Sequence, residues 1–148
     1  MSISLLEQPQ SAADDAGSGP TILIIDDDDA LVDTLSHRLS RQGFTTMTAD
    51  SGEAGLLLAR SERPAAIVLD LRLPDVDGLT ICQNLADSSE TCDIPIIVLS
   101  GMERPDIVRR CRAAGCHYFI RKPYDPNVLL MLIRQAIEES GRWTGLAS

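Results

Sequence analysis

Short apolar runs and amphipathic segments alternate along the chain, which predicts strands that are each followed by a helix. Most of the apolar runs are continuous, as in strands covered on both faces, and only the threonine-rich second run is typical of an edge strand. The predicted strands span residues 21–25, 44–49, 65–69, 94–99 and 118–120. The predicted helices span residues 30–41, 52–60 after a cap at Ser51, 79–86 and 105–114, and a last helix has an apolar face of Val128, Leu129, Leu132, Ile133, Ala136 and Ile137.

Strands that alternate regularly with helices indicate an α/β fold with a parallel sheet. Right-handed crossovers of this length favour a flavodoxin-like, doubly wound (βα)5 sandwich, with a five-stranded parallel sheet in the strand order 2-1-3-4-5. We expect one domain over residues 20–140. Residues 1–19 are predicted to form a disordered N-terminal tail and residues 141–148 a short C-terminal tail.

Four of the apolar runs end in residues suited to phosphate or metal chemistry. These residues are Asp26 and Asp27, Asp70, Ser100 and Lys122. Because ligands bind beyond the carboxyl ends of the strands in an open parallel sheet, we expect the five residues to share one site. Lys122 is the only lysine among 13 basic residues, which favours a specific role for its compact ammonium group.

Carboxylates that converge on one crevice repel each other, and a hard divalent cation relieves that repulsion. We therefore expect Mg²⁺, with Mn²⁺ as the alternative ion. A carboxylate can attack a phosphoryl group, so Asp70 is the predicted nucleophile, and Lys122 would offset charge on the transferred oxygens. Asp28, Asp29 and Asp77 are interpreted instead as residues that support the starts of helices.

The net charge of -9 argues against nucleic-acid binding by this segment alone, because such binding depends on basic residues that meet phosphates. The charge is uneven, since residues 103–142 hold eight Lys or Arg against five Asp or Glu. An acidic partner surface or a solvated helix face would account for that basic third. The sequence has no long apolar span or secretion signal, so we expect no membrane insertion.

Four cysteines occur without a CxxC pair, which favours a reduced, cytoplasmic protein over a disulfide framework. Cys111, Cys116 and His117 are close in sequence, but their spacing matches none of the usual zinc-ligand pairs. We therefore interpret the thiols as buried groups without a catalytic role.

The segments IIDDDD, IVLDLRLPDVDGL, IIVLSG and YFIRKPY have the order and spacing of a known family. Over about residues 20–139 the chain resembles the receiver domain of bacterial two-component response regulators, and the combination of motifs is specific. The resemblance implies that Asp70 accepts a phosphoryl group from a histidine kinase or a phosphotransfer protein. It implies that Asp26, Asp27 and the backbone carbonyl of Arg72 complete the Mg²⁺ site around Asp70. It also implies a signalling module, not an enzyme with a separate substrate, that catalyses its own phosphorylation and dephosphorylation.

The same resemblance implies a switch. The hydroxyl of Ser100 would move to bond a phosphoryl oxygen, and the Phe119 ring would rotate in response. The fourth helix, fifth strand and fifth helix would form the output surface, for binding a downstream partner, for dimerisation or for phosphorelay. The Lys122–Pro123 bond is typically cis in the family.

Three features depart from the commonest family pattern. Gly101 replaces an alanine after the hydroxyl residue, and Phe119 replaces a more frequent tyrosine. The third departure is at the two positions that tune the lifetime of the phosphoryl group in this family, which are Arg72 and Met102 here. Because Met102 cannot orient a water molecule by a strong hydrogen bond, we predict a long-lived phosphoryl group.

Other functions fit the sequence less well. A Mg²⁺-dependent phosphohydrolase with an aspartyl nucleophile would need a second acid at the position of Arg72. A flavin or nucleotide binder would need a glycine-rich phosphate loop, which no predicted strand precedes. The residues after Ser140 are too few for an effector domain, so we expect either a stand-alone module or a receiver excised from a longer hybrid kinase or regulator.

Overall fold

The computed structural model describes residues 19–141, which form a five-stranded parallel sheet with helices on both faces. The strand order is β2-β1-β3-β4-β5, so the flavodoxin-like topology predicted from the sequence is confirmed. The strands are β1 (Thr21–Ile25), β2 (Thr45–Ala49), β3 (Ala66–Leu69), β4 (Ile96–Ser100) and β5 (Tyr118–Arg121). The helices are α1 (Asp29–Arg41), α2 (Gly52–Glu62), α3 (Gly78–Asp87), α4 (Ile107–Ala113) and α5 (Pro126–Ser140).

The tails predicted at residues 1–19 and 141–148 lie, apart from Gly19 and Gly141, outside the described residues. Within residues 19–141, no helix combines the length and the apolar character that crossing a membrane requires.

Two apolar cores lie on opposite faces of the sheet. The first core packs α1 and α5 against one face, through residues such as Leu35, Leu39 and Ile133. The second core packs α2, α3 and α4 against the other face, through residues such as Ala59 and Ile81. Because β1, β3 and β4 contribute alternate side chains to both cores, their sequences are continuously apolar.

Side-chain oxygens cap the starts of four helices. Asp28 accepts a hydrogen bond from Leu31 N, Ser51 from Ala54 N, Asp77 from Leu79 N and Asp125 from Asn127 N. Such caps satisfy amide groups that have no partner inside the helix. The predicted capping roles of Asp28, Ser51 and Asp77 are therefore confirmed.

The start of β4, the extent of α4 and the buried face of α5 differ from the sequence prediction. β4 begins at Ile96 and not at Ile94, because Ile94 N donates to Thr91 O in the preceding turn and Pro95 has no N–H to donate. α4 has only seven residues, from Ile107 to Ala113. On α5, Leu130 is buried and Val128 is 40% exposed, so the buried face is rotated towards Leu130 relative to the predicted face.

Candidate functional site

The carboxylates predicted at the ends of β1 and β3 meet at one crevice. Asp26 and Asp70 are only 3% and 7% exposed, whereas Asp27 is exposed. The ligand oxygens of Asp26, Asp27 and Asp70 all lie within 4.8 Å of one another. Asp26 N donates to Ala49 O and Asp70 N donates to Ile25 O, so the sheet's own hydrogen bonding continues into both acidic residues. The two strands therefore hold the backbone of the site rigidly.

Lys122 reaches this carboxylate cluster from the end of β5. Its Nζ lies 3.4 Å from Asp26 Oδ2 and 3.6 Å from Asp70 Oδ2. β5 is two strands away from β3 in the sheet, a separation of roughly 10 Å, so only a long side chain can make this contact. The backbone is fixed by Lys122 N, which donates to Ser100 O, and the Lys122–Pro123 peptide bond is cis.

The surroundings of Asp70 raise the pKa of its carboxyl group. Burial, and then the charge of Asp26, raise the pKa of the Asp70 carboxyl, while Lys122 and the amides of Arg72 and Leu71 act in the opposite direction. The carboxylate also accepts a hydrogen bond from Arg72 N at 3.3 Å. An added divalent cation would stabilise the ionised form of this crowded group.

The donor atoms of the crevice suit a small, hard cation. All three acidic side chains offer oxygen, which Mg²⁺ prefers, at about 2.1 Å from the ion. Oxygen ligands on opposite sides of one Mg²⁺ ion are therefore about 4.2 Å apart, which is compatible with ligand oxygens that all lie within 4.8 Å of one another. Mg²⁺ keeps several waters and usually binds one or two carboxylates directly, so the three acidic side chains provide enough protein ligands.

The predicted switch residues lie on the side of the crevice formed by β4 and β5. Ser100 ends β4 with no exposed surface, and its Oγ accepts a hydrogen bond from Met102 N at 3.1 Å. Phe119 is half-buried against the second core, while Tyr118 packs against the first, so the two aromatic rings face opposite ways. Arg121 links the loop after β4 to the Phe119 ring on β5, because its guanidinium donates to Met102 O and lies 5.7 Å from the Phe119 ring centroid.

The sequence analysis did not identify Asp75 or Gly78 as residues that shape the site. Asp75 accepts hydrogen bonds from the backbone amides of Gly52 and Glu53 at the start of α2. Gly78 lies so close to the preceding loop that an added Cβ would be 2.4 Å from Leu71 Cα. The sequence LPDVDG signals a turn, but the contacts of that turn are tertiary and have no local signal.

Cys82 and Cys111 are buried and Cys116 is half-buried, but Cys92 is exposed, so the prediction of buried thiols is wrong for Cys92. Burial is the main cause that raises the pKa of Cys82 and of Cys116, in both cases to about 12, so both thiols are poor nucleophiles. Cys116 Sγ donates to Tyr118 O, and His117 Nδ1 accepts a hydrogen bond from Ile96 N. Over residues 19–141, the acidic trio is the one group of three close ligands that we find.

The comparison with protein families identifies the fold and the motif set. The model of the family described as "Response regulator receiver domain" matches residues 22–134. The chain belongs to the response regulator receiver domain family.

Curated relatives of this receiver domain include transcriptional regulators. The chain is 36% identical over 123 residues to the DNA-binding dual master transcriptional regulator RpaA of Synechocystis sp., a match that covers 83% of the chain and 51% of the relative. It is 37% identical to the transcriptional regulatory protein AfsQ1 of Streptomyces coelicolor, again over 83% of the chain and 53% of the relative. The chain thus spans about half the length of these relatives.

Solved structures of receiver domains have the same fold. A CheY-like response regulator receiver domain protein from Methanospirillum hungatei superimposes with a TM-score of 0.78 at 25% identity, over 82% of this chain and 96% of that one. The signal receiver domain of a signal transduction histidine kinase from Syntrophus aciditrophicus gives a TM-score of 0.78 at 27% identity, over 86% and 96% of the two chains.

Family membership decides between the functional classes left open by the sequence. The chain is a signalling module of the two-component type, and the comparisons give no support to the phosphohydrolase alternative. Receiver domains bind Mg²⁺ at an acidic pocket, and the cluster of Asp26, Asp27 and Asp70 is such a pocket.

Proposed function

We propose that Asp70 accepts a phosphoryl group from a phosphohistidine of a histidine kinase or of a phosphotransfer protein. The observation that carries this proposal is the position of the Asp70 carboxylate, which lies within 4.8 Å of two further carboxylates and 3.6 Å from Lys122 Nζ. Burying a carboxylate beside two others costs free energy unless cations offset its charge, and such crowded groups are typical of functional sites.

In the proposed reaction, a carboxylate oxygen of Asp70 forms a bond to phosphorus while the bond between phosphorus and the histidine nitrogen breaks. The histidine nitrogen leaves with the electron pair, and the product is an acyl phosphate on Asp70. Lys122 Nζ, 3.6 Å from Asp70 Oδ2, then offsets negative charge on the phosphoryl oxygens. In this sense the receiver catalyses its own phosphorylation. In dephosphorylation, water attacks the same phosphorus, the bond between phosphorus and the Asp70 oxygen breaks, and inorganic phosphate leaves.

Asp26, Asp27 and Asp70, together with the backbone carbonyl of Arg72, would hold Mg²⁺, or Mn²⁺ in its place. The ion supplies positive charge that neutralises the oxygens of the transferred group. Asp26 is held in place for this role because its Oδ1 accepts a hydrogen bond from Asp28 N at 2.9 Å, which leaves Oδ2 towards Lys122 and the crevice.

Ser100 and Phe119 would transmit the phosphorylated state. The Ser100 hydroxyl would exchange its bond with Met102 N for a bond to a phosphoryl oxygen, which provides the differential contact that a two-state switch needs. Because Arg121 touches both Met102 and Phe119, movement of the loop after β4 would reach the aromatic ring.

We propose the surface of α4, β5 and α5 as the output surface, for a downstream protein partner or for self-association. Its exposed apolar residues Val108, Val128 and Met131 lie among arginines, a composition suited to a protein interface. Direct nucleic-acid binding by residues 20–140 is not part of the proposal, because the net charge of the whole chain is -9. DNA binding is named for RpaA, of which this chain matches 51%.

The remaining expectations concern lifetime, extent and location. Arg72 and Met102 would leave the phosphoryl group long-lived, since neither side chain is a strong acceptor that could orient water. Residues 20–140 would form the receiver, between the two tails. Four free thiols support a cytoplasmic location, where cysteines stay reduced.

The proposed function is tested by intact mass after incubation with a small phosphodonor and Mg²⁺. We expect the wild type to gain one phosphoryl group, and expect none on Asp70→Asn or in the presence of EDTA. Asp87→Asn is the matched control, because Asp87 is an exposed aspartate at the far end of α3. A phosphoryl group on Asp70→Asn at wild-type yield would contradict the proposal, and so would a wild type that stays unmodified with every donor, including phosphohistidine.

A further inference from the structure

One carboxylate joins two loops that are separated along the chain by α2 and β3. Asp75, in the loop between β3 and α3, accepts from Gly52 N at 2.8 Å through Oδ1 and from Glu53 N at 3.0 Å through Oδ2. These two amides open α2 and have no partner inside the helix. A helix is usually capped by a residue that directly precedes it, as Ser51 caps α2 through Ala54 N. The hydrogen bonds to Asp75 therefore add to a cap that α2 already has, and they attach α2 to a second loop.

The two joined loops form one wall of the carboxylate crevice. In the sheet, β1 lies between β2 and β3. The loops after β2 and β3 therefore flank the end of β1, which Asp26 and Asp27 directly follow. α2 and α3 pack on the same face of the sheet, in the second core, whereas α1 lies on the other face. On this face of the sheet, the hydrogen bonds that Asp75 accepts therefore link the start of α2 to the loop that leads into α3.

The loop between β3 and α3 is held at its base by its own backbone. Gly78 N donates to Leu71 O, and a bridge pairs Arg72 with Asp77. The tip of the loop, by contrast, is held through α2. Asp75 bonds the amides of α2, and Val76 packs so closely that a Cβ on Gly52 would lie 2.7 Å from Val76 Cγ2.

We propose that Asp75 is a positioning residue for the metal site, which holds the loop so that the Arg72 carbonyl and the Asp70 carboxylate point into the crevice. The proposal rests on the proposed function, because it assumes that this carbonyl and carboxylate bind Mg²⁺. Asp75 does not touch the ion or the transferred group in this role. It acts through the backbone between Asp75 and Arg72.

Asp suits this position because one short side chain provides two acceptors in a fixed geometry. Bonds from a charged acceptor to backbone amides are stronger than neutral ones, and the start of a helix favours a negative charge. The amides lower the pKa of the Asp75 carboxyl, in agreement with these two hydrogen bonds. Asn can replace only one of the two acceptors, and Ala replaces neither.

The test compares Asp75→Ala and Asp75→Asn with Ser51→Ala in the full chain. Ser51→Ala is the matched control because it also removes a hydrogen bond from the first turn of α2, but one that does not reach the loop after β3. The first readout is the Mg²⁺ dissociation constant, measured by calorimetry without phosphodonor. The second is the exchange rate of the Arg72 amide in the metal-free protein.

We expect Asp75→Ala to weaken Mg²⁺ binding by about tenfold, as for other residues that orient metal ligands, and Asp75→Asn by about threefold. We expect Arg72 amide exchange to accelerate in the same order. Ser51→Ala should leave both readouts at the wild-type value while lowering stability to a similar degree. Asp75→Asn, which keeps one acceptor and the shape of the side chain, serves if Asp75→Ala does not fold.

Two failures are distinguishable. If the wild type binds Mg²⁺ and the Asp75 variants bind it as tightly, or lose affinity only as much as Ser51→Ala does, the positioning role is wrong and the proposed function stands. If the wild type itself binds no Mg²⁺, the proposed function is wrong, and with it the role of Asp75 at a metal site.

Discussion

Gly78→Ala tests whether close backbone approach at the start of α3 sets the position of Asp70. An added Cβ would lie 2.4 Å from Leu71 Cα, 2.8 Å from Asp70 O and 2.9 Å from Leu71 C. All three contacts are backbone atoms, so no side chain can rotate to make room. Ordinary contact begins near 3.4 Å, and the loop must therefore move away from α3 by about 1 Å.

The expected effect has two parts. Overpacking of this kind costs about 1–3 kcal/mol, and alanine recovers up to about 1 kcal/mol of helix propensity, so we expect the free energy of unfolding to fall by about 1 kcal/mol. Because a misplacement of about 1 Å at a reacting group can cost about 100-fold, we expect phosphorylation to slow by about 10–100-fold.

The control is Gly101→Ala, in the loop after β4. There the nearest heavy atom to an added Cβ is Lys122 Cβ at 3.9 Å, which is an ordinary contact. Urea unfolding measures stability, and the initial rate of phosphorylation from a small donor measures the site, at a temperature where both variants are folded. If Gly78→Ala matched Gly101→Ala in stability and rate, the reasoning from the backbone contact would be refuted.

Three further predictions concern charge and lifetime. Burial and Asp26 raise the pKa of Asp70 in the folded protein, so ionisation of Asp70 costs stability as pH rises through that pKa. In urea unfolding without Mg²⁺, Asp70→Asn should therefore be more stable than the wild type at neutral pH. Equal stability of the two proteins at that pH would contradict this prediction. The difference should vanish once the pH falls below the ordinary carboxyl pKa, where both forms are neutral. Lys122→Met leaves two buried carboxylates without their cation. The free energy of unfolding of the metal-free protein should fall by about 2 kcal/mol, a figure that is reduced because the lysine is partly exposed. Mg²⁺ should restore most of this lost stability, as measured by thermal unfolding. Met102→Glu should shorten the half-life of the phosphoryl group, measured by loss of label, and an unchanged or longer half-life would count against the role given to Met102.

The sequence by itself determined the elements and their order. Continuous apolar runs predicted the central strands, the threonine-rich run predicted the edge strand β2, and short crossovers fixed the parallel order. Because the carboxyl ends of parallel strands share one edge, the sequence also indicated that Asp26, Asp70 and Lys122 would meet. These features follow from periodicity and residue type, which are local properties.

Only the tertiary structure decided how the parts of the crevice are held. The reach of Lys122 across two strands, the bonds from Asp75 to α2 and the backbone contact at Gly78 join residues distant in sequence or depend on the path of a loop. The boundaries of β4 and α4 were also missed, because neighbouring strands and loops compete for the same backbone groups. Such contacts depend on the distances between packed elements, and residue order carries no local signal of those distances.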